Sequence, residues 1–340
     1  DEVRYGVYKP KHNSIKNKFI KFFQKYLYSK NYINFNILLK NRNIISNFEY
    51  LFNLLNNIES KKLLINILLY RILGHNKVKL PLNNTNYFKT IKNISSLKDE
   101  NNFLILKYNN QKLYYFDLNN LNFPIKLYFS EIGINIDFIL KQYEYESKEV
   151  LIKAENSDIV IDGGGLWGDT SLFFASSIND YGKVYCFEFI PDNIQILNKN
   201  FNLNPKFKNK IELIEHPIWE NSDLDMYYKD DGPGSIVTFD KFENFDGKVS
   251  SLSIDDLVIR NNIEKIDFIK LDIEGAELQA LKGAKESIKK FRPKLAVAIY
   301  HHPDDFYSIP KFLNELNLGY KFYLKHLTIH NEETILFAKV

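Results

Sequence analysis

Short apolar runs alternate with amphipathic stretches through the second half of the chain. An apolar run predicts a buried strand, and a stretch with helical spacing between two runs predicts a covering helix. Strands that alternate with helices form a parallel sheet with helices on both faces, so the pattern predicts an α/β fold. The predicted strands are Ile159–Ile161, Val184–Phe187, Ile211–Ile214, Phe268–Leu271 and Leu295–Ile299, and the predicted helices are Thr170–Ser177, Asp192–Phe201 and Glu277–Phe291.

The pattern changes at the end of the chain. Lys321–Leu327 and Thr334–Val340 flank the short polar turn His330–Glu333, which predicts a terminal hairpin. One strand of this hairpin should join the otherwise parallel sheet in the antiparallel direction. With these two strands we expect a seven-stranded sheet within an α/β unit that covers residues 158–340.

The first hundred residues have a different texture, rich in Asn, Lys, Leu and Ile. Their helical spacing predicts a mainly helical N-terminal region over residues 1–100, with one helix over Leu51–Leu73. Residues 15–30 form a basic amphipathic stripe. Such a stripe either docks on the protein's own core or makes a peripheral contact with an anionic membrane surface.

Two further segments lie between or beside these parts. Residues 101–157 predict a β-hairpin, Phe103–Tyr108 with Lys112–Phe116, and a connecting helix over residues 137–152. Residues 216–250 predict loops that wall a pocket, and the turn at Gly232, Pro233 and Gly234 indicates a mobile lid.

The composition is that of an ordinary globular protein, with 45% hydrophobic and 26% charged residues. The net charge of +3 demands no polyanionic partner, so nucleic acid binding is not favoured. The only cysteine, Cys186, lies in an apolar run, which predicts a buried core residue and a reducing, cytoplasmic location. The apolar stretch Leu63–Leu73 is well short of the roughly 20 residues that a transmembrane span needs. The oligomeric state is not indicated.

A glycine-rich turn, Asp162–Thr170, connects the first predicted strand to the first predicted helix of the α/β unit. Glycines there let the backbone turn tightly and approach a ligand closely. Gly163, Gly165 and Gly168 satisfy the G-x-G-x-x-G pattern, and Glu188 follows Gly168 by 20 residues, at the end of the second strand. A carboxylate in that position can accept both hydroxyls of a ribose. These residues alone leave open an NAD-type dinucleotide-binding oxidoreductase.

Two more strand ends carry candidate chemistry. Asp272 ends the fourth strand, close to Glu274 and Glu277. Mutual repulsion makes such a cluster costly, so it indicates a functional site, a metal site or charges that favour a helix N-terminus, the last of which suits Glu277. His301 ends the fifth strand, where a histidine that titrates near neutral pH can act as general base or metal ligand. We predict that Asp272 and His301 are the catalytic pair.

The run Ile269-Lys270-Leu271-Asp272-Ile273-Glu274-Gly275-Ala276-Glu277 carries a specific family resemblance. Together with other stretches it resembles the FkbM family of S-adenosylmethionine-dependent methyltransferases, over about residues 158–340. The resemblance implies a class I methyltransferase fold, with a Rossmann-like sheet. The other matching stretches are Val160–Gly164, Gly168–Thr170, Phe187–Phe189, Ser253–Leu257, Arg292–Pro293 and Tyr300–His301.

The family resemblance implies S-adenosyl-L-methionine as cofactor and O-methylation of a hydroxyl on a sugar, nucleotide sugar or glycan. It also argues against the oxidoreductase, because the chain ends in a hairpin rather than a second mononucleotide-binding half. A catalytically inactive protein that binds the cofactor and a glycan is a second hypothesis. The predicted cofactor-binding residues are Asp162, Gly163, Gly164, Gly165, Gly168, Asp169, Thr170, Glu188, Phe189 and His216.

The expected chemistry is transfer of the sulfonium methyl group to an acceptor hydroxyl that is held in line with it. His301, with a reference pKa of about 6.5, would be mostly neutral above pH 7 and able to take the hydroxyl proton. In an alternative mechanism, Asp272 and His301 help to hold a divalent cation that lowers the pKa of the hydroxyl. Two ligands are few for a hard cation that prefers about six oxygens, so the metal-free route is favoured.

Overall fold

The computed structural model describes residues 42–230 and 232–340. The amphipathic stripe over residues 15–30 therefore lies outside the described residues. No helix within the described ranges is long and apolar enough to cross a membrane.

Three helices begin the described part of the chain. The predicted single helix Leu51–Leu73 is two helices, because the chain leaves the helical conformation at Leu55 to pair with Phe322 at the edge of the central sheet. The second helix starts after Asn57, whose side-chain oxygen accepts the N–H of Ser60 at 3.0 Å. The bounds are α1 Arg42–Leu54, α2 Ile58–Leu73 and α3 Thr85–Ser95.

A small antiparallel sheet follows the helices, and it contains the predicted hairpin. Asn200 lies on the helix Pro191–Leu203 and Asn204 directly follows it, and their side chains hydrogen-bond the backbone of the sheet's last strand at Tyr128 and Lys126. These bonds hold the small sheet against the main α/β unit. Its strands are β1 Asp99–Ile105, β2 Lys112–Asp117 and β3 Lys126–Phe129, the last of which the sequence pattern does not predict.

The helix predicted over residues 137–152 is wrong. A π-helix occupies Ile134–Ile139, and Lys141 then adopts a left-handed φ of 50°, which ends the helical conformation. The chain continues in the short strands β4 Tyr145–Glu146 and β5 Leu151–Ile152, which pair with each other. A turn before these strands places the hydroxyl of Tyr143 2.8 Å from Asp272, which directly follows a central strand of the main sheet.

The remaining strands are, in chain order, β6 Ile159–Gly163, β7 Lys183–Phe187, β8 Ile211–Ile214, β9 Asp225–Lys229, β10 Ile236–Thr238, β11 Gly247–Ser250, β12 Phe268–Leu271, β13 Lys294–Ala298, β14 Lys321–His326 and β15 Thr334–Lys339. Seven of them form the central sheet, in the order β14-β15-β13-β12-β6-β7-β8. β15 runs antiparallel to β13 and β14 on either side of it, and the other six strands of this sheet run in one direction. The α/β class and the C-terminal antiparallel hairpin are confirmed.

Helices and apolar side chains cover both faces of the central sheet. On one face Leu51 and Ile67 of α1 and α2 are fully buried beside Ile269 and Leu336. The predicted helix Glu277–Phe291 is divided at Gly283, where a Cβ atom would collide with the carbonyl of Trp219. The helices of the α/β unit are α4 Asp169–Ser177, α5 Pro191–Leu203, α6 Pro205–Lys208, α7 Ile254–Arg260, α8 Glu277–Lys282, α9 Lys285–Phe291 and α10 Asp305–Glu315.

The N-terminal segment also closes one edge of the central sheet. The edge strand β14 hydrogen-bonds the backbone and side chain of Asn56 through Phe322, and the N–H of Leu324 donates to the hydroxyl of Ser60 at 2.9 Å. The described part of residues 1–100 therefore shares a core and an edge with the sheet. The division of the chain at residues 100 and 157 stays a prediction.

The segment 216–250, predicted as loops, folds largely into a second small antiparallel sheet in the order β10-β9-β11. Gly232, in the predicted lid turn, lies against the ring of Tyr108, where its φ of 60° and the nearness of the ring favour glycine. Cys186 is fully buried, as predicted for a core residue.

Candidate active site

A cleft with a volume of about 360 Å³ lies at the carboxyl ends of β6, β7 and β12. Because β6 lies between β12 and β7 in the sheet, its glycine turn lies between Asp272 on one side and Glu188 on the other. A crevice outside the carboxyl ends of parallel strands is where open α/β sheets bind their ligands. The predicted positions that line it are Gly164, Asp169, Thr170, Glu188, Phe189, His216 and Asp272.

The glycine turn after β6 depends on close packing. Gly164 has a φ of 84°, and a Cβ atom there would collide with the carbonyl of Asp272. A Cβ atom at Gly165 would collide with the sulfur of Cys186. Gly163, Gly165 and Gly168 do not line the cleft. These three glycines shape the turn, and their contact with the cofactor stays a prediction.

A buried ion pair lies beneath the turn. The Nζ atom of Lys270 is 3.0 Å from Asp162 Oδ1, and it donates hydrogen bonds to the carbonyls of Gly163 and Gly164 at 2.9 and 2.6 Å. The hydroxyls of Thr170 and Ser171 donate to the other Asp162 oxygen at 2.7 and 2.5 Å. Burial would lower the pKa of Lys270, but the charges of Asp162 and other acids outweigh it and raise that pKa.

Asp162 is therefore a support of the turn. It is 0% exposed and does not line the cleft. Its role as a cofactor-binding residue stays a prediction. Sequence reasoning missed Lys270, whose part depends on the register that places it opposite Asp162.

Glu188 faces the cleft from the end of β7. Its Oε1 accepts the N–H groups of Phe189 and Ile190, both at 2.8 Å, and its Oε2 lies 3.5 Å from the side-chain nitrogen of Asn193. Burial raises the pKa of Glu188 to about 7, although these donors oppose the shift. His216 lines the cleft nearby and donates from Nδ1 to the carbonyl of Ser250 at 2.7 Å.

Asp272 faces the cleft from the end of β12 and is held by two tyrosines. Its carboxylate accepts hydrogen bonds from the hydroxyls of Tyr143 at 2.8 Å and Tyr300 at 3.2 Å. Both tyrosines line the cleft, and the sequence analysis did not select either. Tyr143 was not predicted as a site residue because it lies within the helix wrongly predicted over residues 137–152.

His301 lies behind Asp272, with a side chain 4% exposed that does not line the cleft. Its Nδ1 is 3.0 Å from Glu277, and its Nε2 is 3.5 Å from both Asp272 and Glu274. Burial would lower the pKa of His301, but the contacts with Glu274 and Glu277 and the charge of Asp272 raise it to about 11. An imidazolium cannot take a proton, so this environment does not favour His301 as the base, and its catalytic role stays a prediction.

The predicted alternative, a metal site, would use Asp272 and His301, which lie close to Glu277. Ligand atoms of Asp272, Glu277 and His301 lie within 4.8 Å of one another. A protonated imidazole has no lone pair to offer a cation, and its two N–H groups face carboxylates. With the imidazole protonated, this arrangement favours the metal-free route, which stays a prediction.

Glu333 is a cleft residue that the sequence analysis treated only as part of a polar turn. It accepts hydrogen bonds from the side chains of Gln142 and, at 3.4 Å, Tyr300. Burial and the charges of Asp272 and Glu332 raise the pKa of Glu333 to about 8. The sequence contained one signal for Glu333, namely a carboxyl group in the turn between the last two predicted strands.

The Lys270–Asp162 pair generates a stability prediction. Lys270→Met should lower the free energy of unfolding by about 3–5 kcal/mol, because it leaves the Asp162 charge buried without a partner. The matched control is Lys183→Met, which removes a half-exposed pair with Glu212 and should cost less than about 1 kcal/mol. Urea denaturation measures both, and equal losses would contradict the assigned role of Lys270.

Comparisons with known proteins agree with this architecture. A family model described as the methyltransferase FkbM domain matches residues 153–322, which is half of the chain. No curated protein sequence matches. In a comparison with solved structures, a methyltransferase FkbM from Methylobacillus flagellatus KT is 18% identical with a TM-score of 0.53, covering 89% of this chain and 60% of that one. This chain therefore spans less than two thirds of that protein.

Two other solved structures are similar over a smaller part. Aeropyrum pernix fibrillarin, solved with natively bound S-adenosyl-L-methionine, is 14% identical with a TM-score of 0.35, covering 54% of this chain and 67% of that one. The O-methyltransferase from Bacillus cereus, in complex with SAH, is 14% identical with a TM-score of 0.35, covering 62% of this chain and 78% of that one. With its family model matched over half its length and its glycine turn, Glu188 and Asp272 at the ends of adjacent strands, the chain belongs to the FkbM methyltransferase family.

Proposed function

We propose that this protein is an S-adenosylmethionine-dependent O-methyltransferase that acts on a hydroxyl of an uncharged sugar or glycan. The observation that carries the proposal is the order of three features around one cleft: Glu188, the glycine turn and Asp272 at the ends of β7, β6 and β12. S-adenosylmethionine, when bound, supplies an electrophilic methyl group for the acceptor oxygen. Family membership supports the reaction class, and the cleft residues support the finer assignment.

Glu188 is the proposed partner of the cofactor ribose. Its Oε2 makes the long 3.5 Å contact with Asn193, and Glu188 lines the cleft, so Oε2 is the oxygen proposed to bind the ribose hydroxyls. Its Oε1 is fixed by the N–H groups of Phe189 and Ile190, which hold the carboxylate in one orientation. Such fixed carboxylates bind a ligand without first losing rotational freedom.

Asp272 is the proposed acceptor of the hydroxyl proton. It lies on the side of the glycine turn opposite Glu188, so the reacting methyl group would lie between them. Tyr143 and Tyr300 hold its carboxylate by hydrogen bonds, and the charged His301 behind it balances part of its charge. His301 acts here as a positioning residue, through Asp272.

The charges around the cleft favour an uncharged acceptor. Among the described residues that line it, six carry a carboxyl group and one, Lys270, carries an ammonium group. That ammonium is already bound to Asp162 and two carbonyl oxygens. A phosphate-bearing acceptor would meet carboxylates without a cation to receive it, whereas sugar hydroxyls can donate hydrogen bonds to them.

Replacement of Glu188 should weaken cofactor binding. Glu188→Ala should lower the affinity for S-adenosylhomocysteine about 10- to 150-fold, the loss expected for charge-assisted hydrogen bonds of about 1.5–3 kcal/mol. In the wild type the ribose hydroxyls favour the ionised carboxylate, whose pKa is about 7 in the free protein. The affinity should therefore fall as the pH decreases below 7. Glu188→Gln should reduce this dependence.

Calorimetry between pH 6 and 8.5 measures the dissociation constants, with the exposed Glu215→Ala as a matched control that should bind like the wild type. An unchanged dissociation constant in Glu188→Ala would remove Glu188 from the cofactor site. Binding of NADH in place of S-adenosylhomocysteine would contradict the proposed function itself.

Transfer of labelled methyl groups to a panel of acceptors tests the substrate class. Uncharged sugars and glycans should accept methyl groups at least about 10-fold faster than nucleotide sugars, because phosphate groups meet the carboxylates of the cleft. Faster transfer to nucleotide sugars would contradict the assignment of an uncharged acceptor. Tight binding of S-adenosylhomocysteine without transfer to any acceptor would favour the inactive binding protein.

Asp272→Asn should lower kcat by about 10²-fold or more, since the carboxylate that takes the proton is lost. The affinity for S-adenosylhomocysteine should change little, and the exposed Asp240→Asn serves as control. The NMR signal of the His301 ring, identified by its loss in His301→Asn, should not titrate between pH 6 and 9 because its pKa is about 11. A fully active Asp272→Asn enzyme, or a His301 midpoint near pH 6.5, would restore His301 as the base.

A further inference from the structure

Two carboxyl groups in the cleft have no role in the mechanism described so far. Asp137 lies on the π-helix Ile134–Ile139, and Asp169 begins α4 directly after the glycine turn. Both line the cleft, yet they are only 7% and 4% exposed. The Oδ1 atom of Asp169 is buried and has no hydrogen-bond partner among the described residues. Asp137 also precedes residues 153–322, the part that matches the family model.

Buried carboxyl groups in contact need a positive charge or a shared proton. Burial raises the pKa of Asp137 well above its usual range, and the charge of Asp169 and a hydrogen bond with it add to this shift. Burial likewise raises the pKa of Asp169 to about 6. The other charged groups that face the pair are Lys270, Asp162 and Glu333.

These neighbours do not complete the pair. The ammonium group of Lys270 is bound to Asp162 and to the carbonyls of Gly163 and Gly164. Glu333 adds a carboxyl group to the same wall of the cleft. In the free protein the two carboxyl groups share a proton, and a cation that brings its own N–H donors would replace that proton.

We propose that Asp137 and Asp169 bind the α-ammonium group of the cofactor's amino-acid part. The proposal rests on the proposed function, and it adds a recognition site to it. Asp169 follows the turn between β6 and α4, while Glu188 ends β7, so ribose and ammonium would contact separate groups of the cleft. A primary ammonium suits the pair, since it is a compact charge with three donors. A divalent cation would have two carboxyl ligands and the Lys270 charge nearby.

Calorimetry with two ligands tests the ammonium site without any variant. The wild type should bind S-adenosylhomocysteine about 10-fold or more tightly than the analogue that lacks the α-amino group. Binding at pH 6, measured in buffers of different ionisation enthalpy, should release more protons with S-adenosylhomocysteine than with the deaminated analogue. Glu188 loses protons with either ligand, so the difference between the ligands reports on the carboxyl pair.

Asp137→Asn separates recognition from a structural role. It should weaken binding of S-adenosylhomocysteine about 10-fold or more and leave binding of the deaminated analogue within about 2-fold of the wild type. Asp169→Asn should give the same pattern and serves if the first variant does not fold. The exposed Glu149→Gln is the control.

Two outcomes would overturn the ammonium site alone. In one, the wild type binds both ligands equally. In the other, both variants lose affinity for both ligands to the same extent. If the wild type binds neither ligand nor 5′-methylthioadenosine, the proposed function fails and the ammonium site fails with it.

Discussion

The site depends on one buried ion pair between neighbouring strands. Lys270 of β12 lies in register opposite Asp162 of β6, and both side chains are almost completely removed from solvent. Neither charge is tolerable there alone, so each fixes the position of the other. The Lys270 ammonium group also binds two carbonyls of the glycine turn. The Asp162 carboxylate also binds the hydroxyls of two residues in the first turn of α4. The turn is thereby organised before any ligand arrives.

Local pattern was sufficient to predict the central sheet. The strands β6, β7, β12 and β13 are short apolar runs, and their burial on both faces gives a signal that needs no knowledge of the partner strand. The helix over residues 137–152 was wrong because its apolar spacing fits a helix locally, whereas Tyr143 and Tyr145 are fixed by contacts with Asp272 and Tyr323, far away in the chain. Tertiary packing overrides local preference in such segments.

The site was only partly predictable for the same reason. Glu188 and Asp272 follow strands directly, so their place at the sheet edge can be inferred from order along the chain. The charge of His301 cannot be inferred from the sequence, because it depends on the positions of the Glu274 and Glu277 side chains in the fold. Glu333 and Tyr143 lie outside residues 153–322, and they show that segments on either side of the family match complete the cleft.

The closed edge at β14 limits how two copies of this chain could associate. Exposed edge strands are templates for pairing with another chain, and they lead to domain swapping and aggregation. At the β14 edge of the central sheet, the side chains of Asn56 and Ser60 already hydrogen-bond the backbone of the edge strand. On the other side β8 offers only four residues, including the charged Glu212 that pairs with Lys183. Self-association of the described fold would therefore use side-chain surfaces, and a continuous sheet across two molecules is disfavoured.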